Sequence, residues 1–541
     1  MKNKIFLAML ASISVFAVGC GSSNTTKELA APSTEVSKDI PGWTVNNDPT
    51  DLSWYVNFSW FTTPWGNDIV SQKITEETGV NVNFIIPAGN EAEKLNTMIA
   101  SDTLPDLLTL GWWEGQIPEM IDAGMIYALD ELAELYDPYF FEVADEARLG
   151  WYTSQDGHVY QYPNSSYSPE DYEKYDNIAS NQTFLVRKDM YEALGSPDMS
   201  TPEGFIDTLR KAKEMFPTVN NQPLIPLGLH EFNDAGNVSL DLFLQNFLAI
   251  PFEDEDGNLY DRMTDPEYVA WLKMFREATA EGLLANDVFI DARSQMEEKQ
   301  AQGRYFAMLY QRTDMATQQQ ILFNNDPDSI YVAIDGPKNS SGDDHTLPGV
   351  GIQGWTVTLI SKNCDDPERA IQFMSYFMSE HGQRMIKVGV EGEMYEMVNG
   401  QPVLHKEVQE LLDSDRAAYD RKYGAEDTFW MMQDLPMQQQ WTEASKEPFL
   451  QLEEWAAQYT IFNSQYDGLN PALGSAEEVI ALKVSTLWGN TLPALLLAKD
   501  EAEFDAIFEK YVNDRDALGY DKLLAVQQEL LEENKEKLGF K

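Results

Sequence analysis

The stretch NDIVSQKITEETGVNVNFII, residues 67–86, places a helical pattern directly before a strand pattern. Residues 67–79 have a helical spacing of apolar residues that includes Ile69 and Ile74, and Gly79 is a typical residue for a helix end. The segment VNVNFII, residues 80–86, first alternates and then runs apolar, as strands do. A helix that leads directly into a strand is typical of an α/β protein.

The same alternation continues on both sides of this stretch. LSWYVNF (52–58) predicts a strand before it, while AEKLNTMIASD (92–102) and LLTL (107–110) predict a helix and a strand after it. Strands that alternate with helices predict a parallel or mixed sheet covered by helices. A second block of this kind starts near residue 183, and the chain is mainly helical in pattern from residue 474.

The chain is long, apolar enough to fold and strongly acidic. Its 541 residues are sufficient for more than one core, and 43% of them are hydrophobic. The formal net charge of −51 predicts repulsion from nucleic acid and from anionic membrane surfaces. We therefore expect no nucleic-acid partner. A solvated acidic surface is the simplest interpretation of the charge, which does not itself identify a partner.

The N-terminus has the pattern of an export signal. Lys2 and Lys4 precede the uncharged run IFLAMLASISVFAVG, which ends at Cys20. This pattern predicts a signal peptide over residues 1–19, and a short membrane anchor or a buried helix is the alternative. AVGCG resembles a bacterial lipobox, so Cys20 is the expected lipidation site and membrane anchor. Residues 20–45 are rich in Ser, Thr, Lys, Glu and Pro, which predicts a flexible tether.

Motifs for cofactors, catalysis and cross-links are incomplete. Gly349, Gly351 and Gly354 spell G-x-G-x-x-G, but a strand pattern follows where a dinucleotide site needs a helix, so we interpret the motif as chance. The five histidines do not pair at metal-ligand spacing, and no G-x-S-x-G occurs. Cys364 is the only cysteine besides Cys20, so no internal disulfide is expected. We expect no cofactor, no metal and no catalytic residue.

The acidic segment EDEDGNLYD, residues 253–261, matches a calcium loop only in part. An EF-hand would need ligands at the positions of Phe252 and Met263. The dipeptide Asp256-Gly257 is instead a typical hairpin turn. We therefore predict a hairpin in this segment.

Aromatic residues beside turn residues are the remaining signal. Ligands of open α/β sheets bind beyond the carboxyl ends of the strands, where two tryptophan pairs are predicted to lie. Sugar rings have apolar C–H faces, which suit flat aromatic side chains, although core filling is the alternative for each aromatic residue. Of the adjacent pair at 112 and 113, we expect one to cover the core and the other to face a cleft. The aromatic residues expected to bind ligand are Trp60, Trp65, Trp112, Trp113, Tyr160, Tyr162 and Trp355.

Segments from the N-terminus to near the C-terminus follow a recognisable order. They include the lipobox, EETGVNVNF, ASDTLPDLLTL, FLVRKDMYEALG, QGRYFAML, LISKNCDDPERAIQFMSYFMSEHGQ, GVEGEMY and DEAEFDAIFEKYV. In this order they resemble the family 1 extracellular solute-binding proteins of ABC importers, and in particular its long oligosaccharide-binding lipoproteins. The resemblance implies an α/β fold of two hinged lobes, of the periplasmic-binding-protein type II, with a ligand cleft between them. The implied lobes comprise residues 46–165 with 335–395, and residues 166–334 with 396–541.

The resemblance also adds two polar residues to the expected site. In such proteins, sugar-binding loops follow the first strand and the Pro-Asp strand, and these match Asn57 to Trp65 and Gly111 to Glu114. Asn57 and Glu114 therefore join the expected ligand-binding residues. Some relatives carry an acidic calcium loop where this chain reads FPTVNNQPLIPLG, residues 216–228, so the resemblance brings no calcium site here.

The function that the resemblance implies is solute capture without catalysis. The chain would be a lipid-anchored monomer on the extracellular face of a Gram-positive-type membrane. It would bind an oligosaccharide by closing its lobes and deliver it to ABC permease subunits. Two alternatives remain open: a lipoprotein of the same fold for peptides or other non-sugar solutes, and a surface glycan-degrading enzyme. The enzyme would need a close carboxylate pair, and the sequence nominates none.

Overall fold

Two sheets, each with its own hydrophobic core, organise this computed structural model, which describes residues 29–442 and 444–540. The expected signal peptide and Cys20 lie outside the described residues, so lipidation stays a prediction. We call the two units the first lobe and the second lobe, in the order in which the chain enters them.

Strands and helices alternate as predicted in both halves of the chain. The strands are β1 (Thr50–Val56), β2 (Val80–Ile85), β3 (Leu107–Gly111), β4 (Tyr162–Pro163), β5 (Gln182–Arg187), β6 (Thr218–Val219), β7 (Gln222–Pro223), β8 (Ile225–Gly228), β9 (Tyr305–Gln311), β10 (Tyr331–Ala333), β11 (Leu347–Pro348), β12 (Thr356–Ile360), β13 (Tyr395–Val398), β14 (Gln401–Leu404) and β15 (Thr460–Ile461). The α-helices are α1 (Gly42–Val45), α2 (Ile69–Thr78), α3 (Glu91–Ser101), α4 (Gln116–Asp122), α5 (Leu129–Tyr136), α6 (Phe140–Val143), α7 (Glu146–Tyr152), α8 (Pro169–Lys174), α9 (Lys188–Ala193), α10 (Pro202–Met215), α11 (Leu244–Phe247), α12 (Pro266–Ala280), α13 (Arg293–Ala301), α14 (Ala316–Asn325), α15 (Pro367–Met378), α16 (Glu380–Lys387), α17 (Lys406–Ser414), α18 (Arg416–Lys422), α19 (Leu435–Gln438), α20 (Leu450–Ala457), α21 (Ala476–Leu496), α22 (Glu501–Ala517) and α23 (Tyr520–Lys537).

Local signals explain where several helices begin and end. The Asp68 side chain accepts a hydrogen bond from the Ser71 backbone N–H and so caps α2, which ends at Gly79 in the left-handed conformation. The pattern over residues 366–389 predicts one helix, but the structure has two. Ser379 ends α15, and its hydroxyl oxygen caps α16 by accepting from the Gly382 N–H.

The first lobe contains a mixed five-stranded sheet in the order β2-β1-β3-β12-β4. β1 is parallel to β2 and β3, as the alternation of strands and helices predicted. β12 arrives from much later in the chain and runs antiparallel to β3 and β4. Helices α5 and α15 pack together beside this sheet and complete its core.

The second lobe contains a four-stranded sheet in the order β10-β5-β9-β8. β8 and β9 are parallel, whereas β5 is antiparallel to both β9 and β10. Helices α10 and α12 pack together, and α10 also contacts β8 and β9. Large apolar side chains from α12, α21 and α22 fill the same core.

Two stretches pack on a part of the structure other than the one to which the sequence analysis assigned them. Val408, Tyr419 and Phe429 belong to the core of the first lobe, so the chain stays in that lobe beyond residue 395. The reason is that α17 and α18 return over the first lobe before the last passage to the second. Residues 29–45, expected as part of a flexible tether, instead pack on the first lobe, where Trp43 is buried.

One helix within the described ranges, α21, is long and apolar enough to cross a membrane by length and composition. It contacts α12, α22 and α23, and its Trp488 is buried and donates a hydrogen bond to Asp241 (2.8 Å). These contacts assign the C-terminal half of α21 to the core of the second lobe.

Candidate functional site

Three segments connect the lobes and lie side by side at the hinge. We call them the first crossover (164–181), the second crossover (334–355) and the third crossover (433–442 and 444–449). Ser180 of the first crossover ties them together, since its hydroxyl donates to the Pro348 carbonyl (2.7 Å). β11 in the second crossover is also parallel to β15, which follows the third.

The glycine pattern at 349–354 has a structural cause at this hinge. A Cβ atom on Gly351 would lie 1.7 Å from the Ser464 hydroxyl oxygen. Gly354 has a φ of +71°, and a Cβ there would lie 2.1 Å from the Asn164 carbonyl oxygen. The motif therefore allows crossovers to pack in direct contact, and the strand β12 follows it as predicted. The match to a dinucleotide-binding motif is thus coincidental, as predicted, and the glycines are required by packing at the hinge.

The predicted first-lobe loops meet at the sheet edge from which the crossovers leave. Asn57 follows β1, and its backbone N–H donates to the Thr109 carbonyl of β3 (3.0 Å). Trp112 follows β3, and its N–H donates to the carbonyl of Trp355, which precedes β12 (3.5 Å). Because the carboxyl ends of β1 and β3 share this edge, residues distant in sequence form one surface.

Three tryptophans stack on one another at this edge, and we call this cluster the tryptophan platform (Trp60, Trp355 and Trp430). The ring centroids of Trp60 and Trp355 are 6.0 Å apart with planes 9° from parallel, and those of Trp355 and Trp430 are 4.5 Å apart. Phe58 supports the platform at 5.3 Å from Trp355. Trp60 is 57% exposed, so the cluster presents an aromatic face to solvent.

Trp430 of the platform and the supporting Phe58 were not predicted from the sequence as site residues. Trp430 lies in a segment that the family resemblance placed in the second lobe. The adjacent aromatic pair Phe429-Trp430 was the one sequence signal that could have indicated it. Phe58 lies inside the predicted loop, but it fits equally well as the end of the strand pattern.

The adjacent tryptophans that follow β3 differ in exposure. Trp113 is 49% exposed and lies over Gly111, where a Cβ would be 2.5 Å from its ring. Trp112 is half-buried and packs against a small core cluster that includes Leu108. Trp112 is therefore the indole that covers core, and the expected position of Trp113 in a cleft stays a prediction.

Two predicted site residues are core residues instead. Trp65 is 8% exposed, packs against Phe429 and donates from its indole nitrogen to the Thr75 hydroxyl (2.9 Å). Tyr162 is 3% exposed, and its hydroxyl accepts from the Asp145 backbone N–H (2.9 Å). Both therefore stabilise the fold, because their polar atoms are used internally. Tyr160 is half-buried and donates from its hydroxyl to Asp156 (2.7 Å).

A chain of polar groups lies beside the aromatic surface. The buried Asn57 donates from its side-chain amide to the Glu114 carboxylate (3.3 Å) and accepts from the Tyr55 hydroxyl (2.6 Å). Burial raises the pKa of Glu114, and the nearby carboxylate of Glu91 adds to this effect. This part of the surface therefore offers a carboxylate acceptor held in place by an amide.

The second lobe presents its own strand ends to the hinge. Glu231 follows β8, and Asp314 follows β9, which is parallel to β8. Arg293, at the start of α13, lies 3.2 Å from the Asp314 carboxylate. Sequence analysis nominated none of these residues, because no local pattern marks them.

Asp467 lies between the lobes in the loop after β15. Its side chain bonds with Gln353 and Ser464, and burial raises its pKa to about 7. The Tyr152 hydroxyl of the first lobe donates to the Gln353 carbonyl (2.6 Å), which extends this contact across the hinge. The carboxyl group is thus poised to change charge near neutral pH.

We expect the free energy of unfolding to fall as pH rises from about 4 to about 7 because of Asp467. Its folded pKa of about 7 exceeds the ordinary value of 3.8, so the folded chain holds a proton that the unfolded chain has lost in this window. Across this window, Asp467 lowers the free energy of unfolding by at most about 4 kcal/mol. Calorimetric unfolding at acidic and at mildly alkaline pH measures it. Asp467→Asn should raise Tm mainly at the alkaline pH, and an equal rise at both would contradict the assignment.

The two places considered for calcium are both tight hairpins. At 253–261, Glu253 and Leu259 form a bridge, which confirms the predicted hairpin. At 216–228, β6 and β7 pair across Asn220 and Asn221, which both have positive φ. Within the described part of the chain, no group of three or more His, Cys, Asp or Glu side chains is placed to hold a metal ion.

Comparison with known proteins identifies sequence relatives. A family profile described as "Bacterial extracellular solute-binding protein" matches residues 70–388, which is more than half of the 541 residues. The fructooligosaccharide ABC transporter substrate-binding protein FusA of Streptococcus pneumoniae serotype 4 is 24% identical over 41% of this chain and 42% of its own length. Lipoprotein LipO of Bacillus subtilis is 22% identical over 58% of this chain and 61% of its own. The matches thus span about half the length of these curated relatives.

Solved structures share the fold over nearly all of the chain. FusA of S. pneumoniae in complex with kestose superposes with a TM-score of 0.67 at 16% identity, covering 90% of this chain and 99% of that one. The alginate-binding protein AlgQ2 without calcium ion superposes with a TM-score of 0.65 at 18% identity, with the same coverage. At these identities the likeness concerns the fold, and it confirms the predicted two-lobe arrangement.

Proposed function

Because the chain belongs to the bacterial extracellular solute-binding proteins, we propose that it captures an oligosaccharide between its lobes and delivers it to the permease of an ABC importer. The tryptophan platform is the observation that carries this proposal, since sugars stack their C–H faces on exposed indoles. One relative supports the ligand class: FusA is called a fructooligosaccharide ABC transporter substrate-binding protein, and its solved structure is a complex with kestose.

Capture follows from the way in which the lobes are joined. Aromatic and polar groups stand at the strand ends of both lobes, on either side of three short crossovers. A ligand that contacts both edges stabilises the closed arrangement by its higher affinity for that state. The closed form is then the one that a permease recognises, and a separate ATPase supplies the energy.

The expected membrane attachment is part of the same proposal. The lipobox at Cys20 would hold the chain on the extracellular side of the membrane, close to the permease. The relative LipO is named a lipoprotein, which supports this placement. We propose that the chain acts as a monomer, because one chain supplies both edges of the cleft.

The platform can be tested by truncating Trp60, which is exposed, and Trp355, which is half-buried. Trp60→Ala and Trp355→Ala should each weaken oligosaccharide binding by about 1–3 kcal/mol, by analogy with base stacking on aromatic side chains. A thermal-shift screen of the purified protein against glycans, amino acids and peptides first identifies the ligand, because a ligand of the folded state raises Tm. Titration calorimetry then gives Kd for each variant.

The control is Trp65→Phe, which changes a tryptophan of the core instead of the platform. It should lower Tm while leaving Kd unchanged. Unchanged affinity in both platform variants would remove the tryptophans from the site. Thermal shifts with peptides and with no glycan would keep the fold and overturn the sugar assignment, and glycan hydrolysis would overturn the non-catalytic role.

A further inference from the structure

We propose that the cleft accepts uncharged oligosaccharides and discriminates against glycans that carry carboxylates, because the second lobe completes the site with an acidic, acceptor-rich surface. We call this surface the second wall (Glu231, Phe232, Phe289, Arg293 and Asp314). The inference rests on the proposed function and assigns a ligand class to the same cleft.

The sheet topology places the second wall opposite the tryptophan platform. The first crossover enters the second sheet at Gln182, which pairs with Gln311 at the end of β9. The ends of β8 and β9 therefore lie at the hinge edge, and Arg312 confirms this by donating to the Ser180 carbonyl of the first crossover (2.9 Å). Both lobes thus turn the carboxyl ends of parallel strands toward the same cleft.

The second wall includes an aromatic surface of its own. The rings of Phe232 and Phe289 lie 4.9 Å apart, and both are half-buried against the core of the second lobe. Ile290 next to them is 82% exposed. This patch can cover the apolar face of a sugar whose other face meets the tryptophan platform.

A buried acceptor in the second wall lacks a partner. The Glu231 Oε2 atom is buried and forms no hydrogen bond with any described residue. An unpaired buried oxygen is costly, and a donor from a ligand removes the cost. Sugar hydroxyl groups are such donors, whereas an ionised ligand carboxylate can only accept.

The basic side chains in and beside the second wall, Arg293 and His230, carry no free positive charge. The Arg293 guanidinium contacts the carboxylates of Asp314 (3.2 Å) and Glu297 (2.9 Å). His230 is buried and stacked on Tyr310 at 4.0 Å. Burial and the neighbouring Arg293 lower the pKa of His230 to about 3, so it is uncharged at neutral pH. Neither group offers a free cation to an anionic ligand.

The first lobe contributes charge of the same sign. Glu114 stands at the edge beside Asn57, and Glu91 is close enough to raise its pKa. A ligand carboxylate would therefore meet like charges from both lobes in a partly desolvated space, where repulsion is stronger than in water. An uncharged glycan has no charge for these carboxylates to repel, and its hydroxyl groups can donate to them.

The test uses matched probes. The neutral oligosaccharide found in the thermal-shift screen is compared with the same oligosaccharide whose primary hydroxyl groups have been oxidised to carboxylates. We expect the oxidised probe to bind at least about tenfold more weakly than the neutral probe at low salt. This difference in affinity should become smaller at high salt, because salt screens the charges. The neutral probe should bind with little dependence on salt.

Glu231→Gln locates the effect in the second wall, because it keeps the size of the side chain and removes its charge. It should raise the affinity for the oxidised probe relative to the neutral one by several-fold. The control Glu501→Gln removes the same charge from an exposed position on α22, outside the second wall and the tryptophan platform. It should leave the ratio of the two affinities unchanged.

The outcomes separate this inference from the proposed function. Equal or tighter binding of the oxidised probe would overturn the charge selection and leave oligosaccharide capture standing. An unchanged ratio in Glu231→Gln would remove Glu231 from the site. Failure of every glycan to bind would overturn the proposed function and this inference together.

Discussion

Replacing Asp434 by alanine should destabilise the chain by about 3–5 kcal/mol, the usual effect of leaving a buried charge unpaired. Arg148 of α7 is buried, and its guanidinium meets the Asp434 carboxylate of the third crossover at 2.5 Å. A second guanidinium nitrogen donates to the Ser166 carbonyl of the first crossover (2.9 Å). One side chain of the first lobe therefore holds two crossovers, and its charge has no access to solvent.

Two further variants separate the charge from other roles of Asp434. Asp434 also caps α19, so Asp434→Asn keeps a capping oxygen while removing the charge. The double variant Arg148→Met with Asp434→Leu removes both charges and should recover most of the lost stability. Urea unfolding monitored by fluorescence gives the free energies. A loss below about 1 kcal/mol in Asp434→Ala, as for a surface pair, would refute the assignment.

Gly354→Ala is expected to cost about 3–5 kcal/mol through two separate effects. A φ of +71° disfavours any residue with a Cβ by about 1–2 kcal/mol. The added Cβ would also displace the Asn164 carbonyl, which accepts from the Trp355 N–H (3.2 Å). Because Trp355 belongs to the tryptophan platform, the same substitution should weaken oligosaccharide binding.

Gly342→Ala is the matched control for this prediction. Gly342 has a similar φ of +75°, but a Cβ added there would have no atom within 4 Å, so only the conformational cost of about 1–2 kcal/mol applies. The difference between the two variants in chemical denaturation measures the packing of the crossovers. Equal losses would show that the second crossover can move away from the first without penalty.

Local sequence signals predicted the elements of both lobes but not which aromatic residues face the cleft. The cap at Asp68 and the stop at Gly79 are encoded within a few residues, and the structure confirms them. Trp60 and Trp65 have similar neighbours in sequence. Trp65 is buried whereas Trp60 is exposed, because Trp65 packs against Phe429, which comes from a distant part of the chain.

The second wall was beyond sequence prediction for a related reason. Glu231, Arg293 and Asp314 follow different elements, and only the strand order β10-β5-β9-β8 brings them to one edge. Hydrophobic periodicity predicts that a segment is a strand, but it contains no information about the neighbours of that strand. The polar residues of a cleft built from strand ends can therefore be predicted only when the order of the strands in the sheet is known.

The three crossovers also determine the order in which the chain can fold as it is synthesised. The core of the first lobe includes Met432, and that of the second includes Tyr511, so neither core can close until most of the chain has emerged. Long sequence separation between contacting strands slows folding. A chain that has emerged only in part therefore exposes apolar segments of both cores, which makes it prone to aggregation until its last segments arrive.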